Sequence, residues 1–313
     1  MSKITSLEGE ASIFLAQNND SAAIGNYQQI LSLANELKQT KYANQASQAY
    51  NNAYKRILEI TGAQEATISE QRDIPFNATI LIALNQLAFA IAENAQLYNL
   101  NNQQTINLKE QIPNIVSASL LQNQIAAVSK DNRLYIINPN SQTANKEKIQ
   151  LTYSGKIAVF GDNIYILDPP ANQIWKIVDN NGYNDSKAYI ANNSTTINNA
   201  IDFAIDGNIY TISSDCSINR FSRGNLNANY TISLPANEKA NSCSGIFTNE
   251  NSPLIFVTAK VGETSRLIEL NKDGSFAGQY LLKDINCNNN CIVDPISKKL
   301  YKFEGNKVQL IKI

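Results

Sequence analysis

The chain has 313 residues, with 26 basic and 27 acidic side chains, a net charge of −1 and no histidine. That balance leaves no basic surplus to neutralise phosphates, which excludes a general nucleic-acid binder, and the missing His excludes imidazole triads, His-ligated zinc and imidazole acid–base work. Charged residues make up only 17% of the sequence, so Asn, Gln, Ser and Thr supply the polar surface, a composition found both in exported proteins and in low-GC genomes.

From about Ser6 to Ile60 the spacing is helical and nearly free of Gly and Pro. Asp20 before Ser21-Ala22-Ala23 reads as a helix N-cap, with Ile24, Tyr27, Leu31 and Ala34 following in three- and four-residue steps. Tyr42, Ala46, Ala49, Ala53, Ile57 and Ile60 share one face of a later segment that stops at Thr61-Gly62. The expectation is a helical hairpin over residues 1–64 with a short helix before it, serving as a stalk, as a cap on the adjoining domain or as a partner-binding groove. It is similar to the Ala-rich helical pairs of tetratricopeptide-type repeats, without the full repeat signature. Met1-Ser2-Lys3-Ile4-Thr5 leads into Ser6-Leu7-Glu8-Gly9-Glu10 and not into an apolar signal region, which predicts a cytoplasmic chain or one lying beyond a removed targeting or anchoring segment. The most apolar window, residues 78–92, is short and interrupted by Asn85-Gln86, so it predicts no membrane span.

From Ala66 the pattern changes to short apolar runs divided by Asn, Asp, Gly and Pro. Residues 161–177, GDNIYILDPPANQIWKI, read as two strands joined by a Pro-Pro turn. Five further stretches align on the first strand, at Leu87-Ala88-Phe89, Gln124-Ile125-Ala126, Asn208-Ile209-Tyr210, Pro253-Leu254-Ile255 and Lys299-Leu300-Tyr301. Their spacing is roughly 38 to 46 residues, the period of a four-stranded propeller blade. Each is followed by a partner strand: Gln96-Leu97-Tyr98, Arg133-Leu134-Tyr135, Gln173-Ile174-Trp175, Ser217-Ile218-Asn219, Arg266-Leu267-Ile268 and Lys307-Val308-Gln309. Inner strands such as 200–206 and outer strands such as 187–190, 229–234 and 278–282 complete the units. The last unit lacks an outer strand, and a ring must hide its edges. Residues 65–73, from Glu65 through Ala66-Thr67-Ile68-Ser69 to Arg72, are therefore expected to close it within a 65–313 propeller.

With GDNIYILDPPANQIWKI, AIDFAIDGNIYTISSDCSINRF and IVDPISKKLYKFEGNKVQLIKI laid out, the chain resembles a mainly β, six-bladed β-propeller of the NHL or TolB-like kind. It is also similar to uncharacterised bacterial propeller modules placed beyond an anchor and a helical linker. The resemblance covers about residues 66–313 and implies an architecture, since propellers host binding, scaffolding and catalysis alike. It implies a ligand face where the strand-2 to strand-3 turns and the blade connections meet over the central channel. On that face it places Cys216 and Cys243 as a bridge between neighbouring blades and Cys287–Cys291 as a local clip, against the alternative of free thiols. Four Cys without CxxC spacing favour structural disulfides, and so an oxidising, extracytoplasmic or cell-surface setting, over zinc or redox motifs.

A lactonase-like hydrolase would need carboxylates and amides holding a divalent cation such as Ca²⁺ at the channel mouth. Asn198, Asn199, Asp202 and Asn289 are the nearest candidates, but the matching positions Ser117-Ala118, Lys156-Ile157 and Ser244-Gly245 add no acid. Asp202 is read first as a hydrogen-bonding residue at the start of an inner strand. Asp162, Asp168 and Asp206 fit turn roles, and Trp175 fits blade core better than a sugar-stacking platform. Asn-X-Ser/Thr triplets begin at Asn77, Asn193 and Asn229. No catalytic residue and no resident cofactor are expected. The leading reading is a non-enzymatic protein-interaction or assembly module. A small-molecule or glycan-binding propeller and self-association through the helices are the alternatives.

Overall fold

A computed structural model of the chain describes residues 2–191 and 196–313. Three antiparallel helices come first: α1 (Ser2–Ala16), α2 (Asp20–Glu36) and α3 (Thr40–Thr61). Helix α1 is no short prelude to a hairpin. It runs 15 residues because Ile4, Leu7 and Ala11 give it an apolar stripe of its own, buried against Ala23, Ile24, Tyr27 and Ile30 of α2. Asn19, one residue earlier than the expected Asp20, caps α2 by accepting the Ala22 amide at 3.2 Å. Asp20 is instead buried and paired with Arg56 of α3 at 3.3 Å.

The described residues then form six antiparallel sheets in chain order. Blade 1 has strands Ile80–Leu84, Leu87–Ile91, Gln96–Asn99 and Thr105–Asn107; blade 2 has Ile115–Leu121, Gln124–Ser129, Arg133–Asn138 and Thr143–Gln150. Blade 3 has Ile157–Phe160, Asn163–Asp168, Gln173–Ile177 and Ser186–Ala188; blade 4 has Ala200–Ile205, Ile209–Ser213, Ser217–Ser222 and Asn225–Thr231. Blade 5 has Ala240–Phe247, Leu254–Val261, Thr264–Asn271 and Phe276–Leu281, with Gln64–Glu65 added in parallel to its outer edge. Blade 6 has Cys291–Asp294, Lys299–Glu304 and Lys307–Lys312. Its fourth strand is Thr67–Asp73, in register from Thr67 opposite Lys312 to Asp73 opposite Lys307.

The core is six apolar wedges, one between each pair of neighbouring blades, and a seventh among the helices. This explains the continuous apolar runs. In Ile164-Tyr165-Ile166-Leu167, Ile164 and Ile166 pack toward blade 2 while Tyr165 and Leu167 pack toward blade 4, so both faces of the strand are buried. The chain is a six-bladed β-propeller carrying three helices.

The helices rest on blade 5 and the connections flanking it. Gly25 of α2 lies so close to the hairpin tip of blade 5 that a Cβ there would stand 2.5 Å from Glu263 Cγ. On α3 the Tyr50 hydroxyl donates to Asp284 at 2.5 Å, and Lys283 donates to Asn51 at 2.8 Å while lying over the Tyr50 and Tyr54 rings. Beneath them Arg266, wholly buried, pairs with Glu238 at 2.9 Å and bonds Gln279 and Thr264.

Candidate functional site at the channel mouth

Each blade meanders outward, so its second-to-third-strand turn and its connection to the next blade lie on one face, together with the start of each innermost strand. There the innermost strands depart from regular pairing. Register shifts fall between Ile115 and Ser117, between Ala200 and Asp202, and between Cys243 and Gly245. The side chains beside these bulges bind across to the next blade. Ser117 Oγ accepts the Ile157 amide at 3.1 Å, and Asp202 Oδ2 accepts the Ile246 amide at 3.1 Å. Ser244 Oγ bonds Thr258 Oγ1 at 2.9 Å and donates to the Cys287 carbonyl.

The innermost strands enclose a channel of about 250 Å³. Ser117, Lys156, Asp202, Ser244 and Asn289 line its mouth, and Thr248, Asn249 and Pro295 line its far end. Its wall runs through successive residues of each innermost strand, such as Ile80 to Leu84, because the strands present their unpaired inner edges to it. Burial in this narrow space pushes the Asp202 carboxyl above the usual carboxylate range, against the downward pull of the Lys156 ammonium and the Ile246 and Phe203 amides.

Of the four residues expected at the mouth, Asp202 and Asn289 line the channel, while Asn198 and Asn199 stand exposed in the turn just before blade 4 and are absent from its wall. Among the described residues no three His, Cys, Asp or Glu side chains come together to hold a metal. Cys216 and Cys243 are bonded, with Cα atoms 5.1 Å apart, as are Cys287 and Cys291, at 5.2 Å. Cys243 lies within the first strand of blade 5 and not in the connection before it. Asp168, Asp206 and Asp273 accept the amides of Ala171, Asn208 and Ser275 in their turns. Trp175 is half-buried and donates to Asp168 at 2.9 Å. Asn77 and Asn229 are exposed, and the triplet at Asn193 lies outside the described residues. No described helix is long and apolar enough to cross a membrane.

Two features had no warning in the sequence. Val116 and Tyr153, beside the mouth on blade 2 and its connection to blade 3, are 37% and 39% exposed. Val116 is the extra residue of the Ile115–Ser117 bulge, and a bulge cannot be read from an apolar run. The buried Arg266 of the third strand of blade 5 pairs with Glu238 in the connection before that blade.

No family model matches the chain. No curated protein matches it either. Among solved structures it is similar to the WD40 repeats of RRP9, at 8% identity and a TM-score of 0.49 over 79% of this chain and 99% of that one. It is also similar to YCF48 bound to D1 peptide, at 10% identity and a TM-score of 0.46 over 80% and 96%. Both scores fall below 0.5, so neither likeness carries an argument, and the fold rests on the sheets and wedges themselves.

Proposed function

We propose that the chain is a non-enzymatic protein-interaction module whose partner meets the channel-mouth face over blades 2 and 3. The observation that carries this reading is the docking already made in cis on that face. Tyr50 and Asn51 of α3 bind Asp284 and Lys283 in a blade connection, so connections of this type hold helices. In the sector away from the helices, Val116 is exposed in the channel wall that Lys156 also lines, and Tyr153 is exposed in the connection leading to Lys156, apolar side chains and a cation suited to a loop carrying an apolar and an acidic side chain. Kinship to the NHL or TolB-like kind is supported by the repeated Gly/Asp-Asn strand openings, and an oxidising, extracytoplasmic setting by the two cysteine pairs.

The test is a photo-crosslinking side chain at position 153, compared with one at position 226 on the rim, where Leu226 is equally exposed at 40%. In extracts of the source cells the reading expects one discrete adduct at 153, competed by unlabelled protein and not by a Val116→Asp/Tyr153→Asp version. Equal labelling at both positions, or none at 153, rejects it.

A further inference from the structure

The channel mouth holds one positive and one negative side chain on neighbouring blades, Lys156 and Asp202, both in the wall of the same cavity. The Lys156 ammonium favours the charged form of Asp202, yet no ion pair forms between them within 4.0 Å. Both are presented from fixed backbone. The Lys156 carbonyl accepts the Leu167 amide at 3.0 Å, and Gly155 before it is packed so tightly that a Cβ would stand 1.9 Å from the Leu167 carbonyl oxygen. The Ile157 amide after it is held by Ser117. Asp202 is turned by its bulge and tied to blade 5 through Ile246. An ammonium from the connection before blade 3 and a carboxylate from the start of blade 4, both lining one narrow channel, match a ligand that carries both charges itself.

We propose that the channel mouth binds a small zwitterion of the free α-amino acid class, its carboxylate toward Lys156 and its ammonium toward Asp202. A ligand with a single charge would satisfy one side chain and leave the other without a partner, which disfavours it against a zwitterion. The polar ring of Ser117, Ser244 and Asn289 and the strand edges below suit a small, polar ligand, and a channel of about 250 Å³ sets the size limit. This site shares Lys156 with the partner face, but its readout needs no second protein.

The experiment is isothermal titration calorimetry on the full chain with glycine, L-alanine and L-serine, and with alaninamide and propionate, each lacking one of alanine's two charges. The expected result is binding of at least one of the three amino acids with a Kd of about 1 mM or tighter, a range calorimetry resolves. If alanine is among them, alaninamide and propionate should each bind at least about tenfold more weakly, the effect of losing one charge-assisted contact. Lys156→Met and Asp202→Asn should each weaken the same amino acid at least about tenfold. The Asn variant keeps an acceptor for the Ile246 amide, and an unchanged thermal melt certifies that it folds. Binding of none of the three amino acids, equal binding of the singly charged analogues, or wild-type affinity in both variants overturns the proposal. Partner crosslinking at position 153 can succeed or fail independently of each of these results.

Discussion

Blades 4 to 6 carry both disulfides, the buried Arg266–Glu238 pair and the three helices, whereas blades 1 to 3 carry none of these. The second group is held by apolar wedges and by side chains that pair with backbone. Gln173 accepts the Ile190 amide at 2.7 Å and donates to the Ile190 carbonyl at 3.2 Å. Asp168 gathers Thr152, Trp175 and the Ala171 amide. Where a blade follows the repeat, local turn chemistry is enough to fix it. Where a connection departs from the repeat to hold the helices, as 232–239 and 282–290 do, covalent and ionic ties take over. The arc that anchors the helices is thus the reinforced one, and the arc with exposed Val116 and Tyr153 is held by its wedges and hydrogen bonds without covalent or buried ionic ties.

The largest test of this contrast is Arg266→Met, which leaves Glu238 without its buried partner. A loss of about 3–5 kcal/mol is expected in urea unfolding, while Lys130→Met, at an exposed turn of blade 2, should stay within about 0.5 kcal/mol of wild type. Equal effects would erase the distinction between the arcs. Next, Cys216→Ala with Cys243→Ala should cost roughly 3–4 kcal/mol and Cys287→Ala with Cys291→Ala about 2 kcal/mol, since the first bridge closes the longer loop, 27 residues against 4. The reverse order would show that the short clip holds the helix-bearing connection directly.

Tyr50→Phe sharpens the comparison at the helix contact. Its hydroxyl bonds an exposed carboxylate, so a loss of about 1.5 kcal/mol at neutral pH is expected. Burial first, and then the Asp284 hydrogen bond, raises the Tyr50 phenol above its ordinary value. A raised phenol stabilises the folded chain fully below the unfolded value near pH 10, and that contribution fades as pH climbs past it. Alkaline titration of stability should therefore fall more steeply in the wild type than in Tyr50→Phe, and parallel curves would dismiss the phenol as the cause. Apart from the Lys130→Met control, the smallest effect belongs to Trp175→Phe in blade 3. Asp168 keeps Thr152 and the Ala171 amide, so a loss of about 1 kcal/mol is expected, measured by thermal melting.

Second strands were legible because both their faces are buried, which writes them as short apolar runs, as in Asn163–Asp168, whereas third strands such as Ser217–Ser222 and Lys307–Lys312 carry polar residues and were legible from their place after the second. Outer strands were less so. Thr143–Gln150 and Asn225–Thr231 are largely exposed and polar, so the apolar run 229–234 misplaced the fourth strand of blade 4 by several residues. The first helix was undersized because it begins at Ser2 with Ile4 already in its apolar stripe, ahead of the stretch from about Ser6 that reads as helical. At the mouth, Asp202 was legible as a strand-start hydrogen bonder, but its acceptance of an amide 44 residues later depends on how neighbouring blades meet. Lys156 drew notice only for what it lacked as a metal ligand, since no spacing rule brings it opposite Asp202. Exposure at Val116 and Tyr153 follows from a bulge and from where the helices rest, and both are products of the assembled ring.

The strand that closes the ring has a further consequence during synthesis. Ser69 binds the carbonyl of Leu310, 241 residues later. At a ribosomal pace of about 5–20 residues per second, the segment waits roughly 10–50 s for its mate. Throughout that interval five blades can mature while Ile68 and its neighbours have nothing to join. A nascent chain in this state offers a loose strand and an open sheet edge at once, the pair of features that invites one polypeptide to complete another. Spacing between ribosomes on the message, more than any equilibrium constant, would then set how often the ring closes on itself.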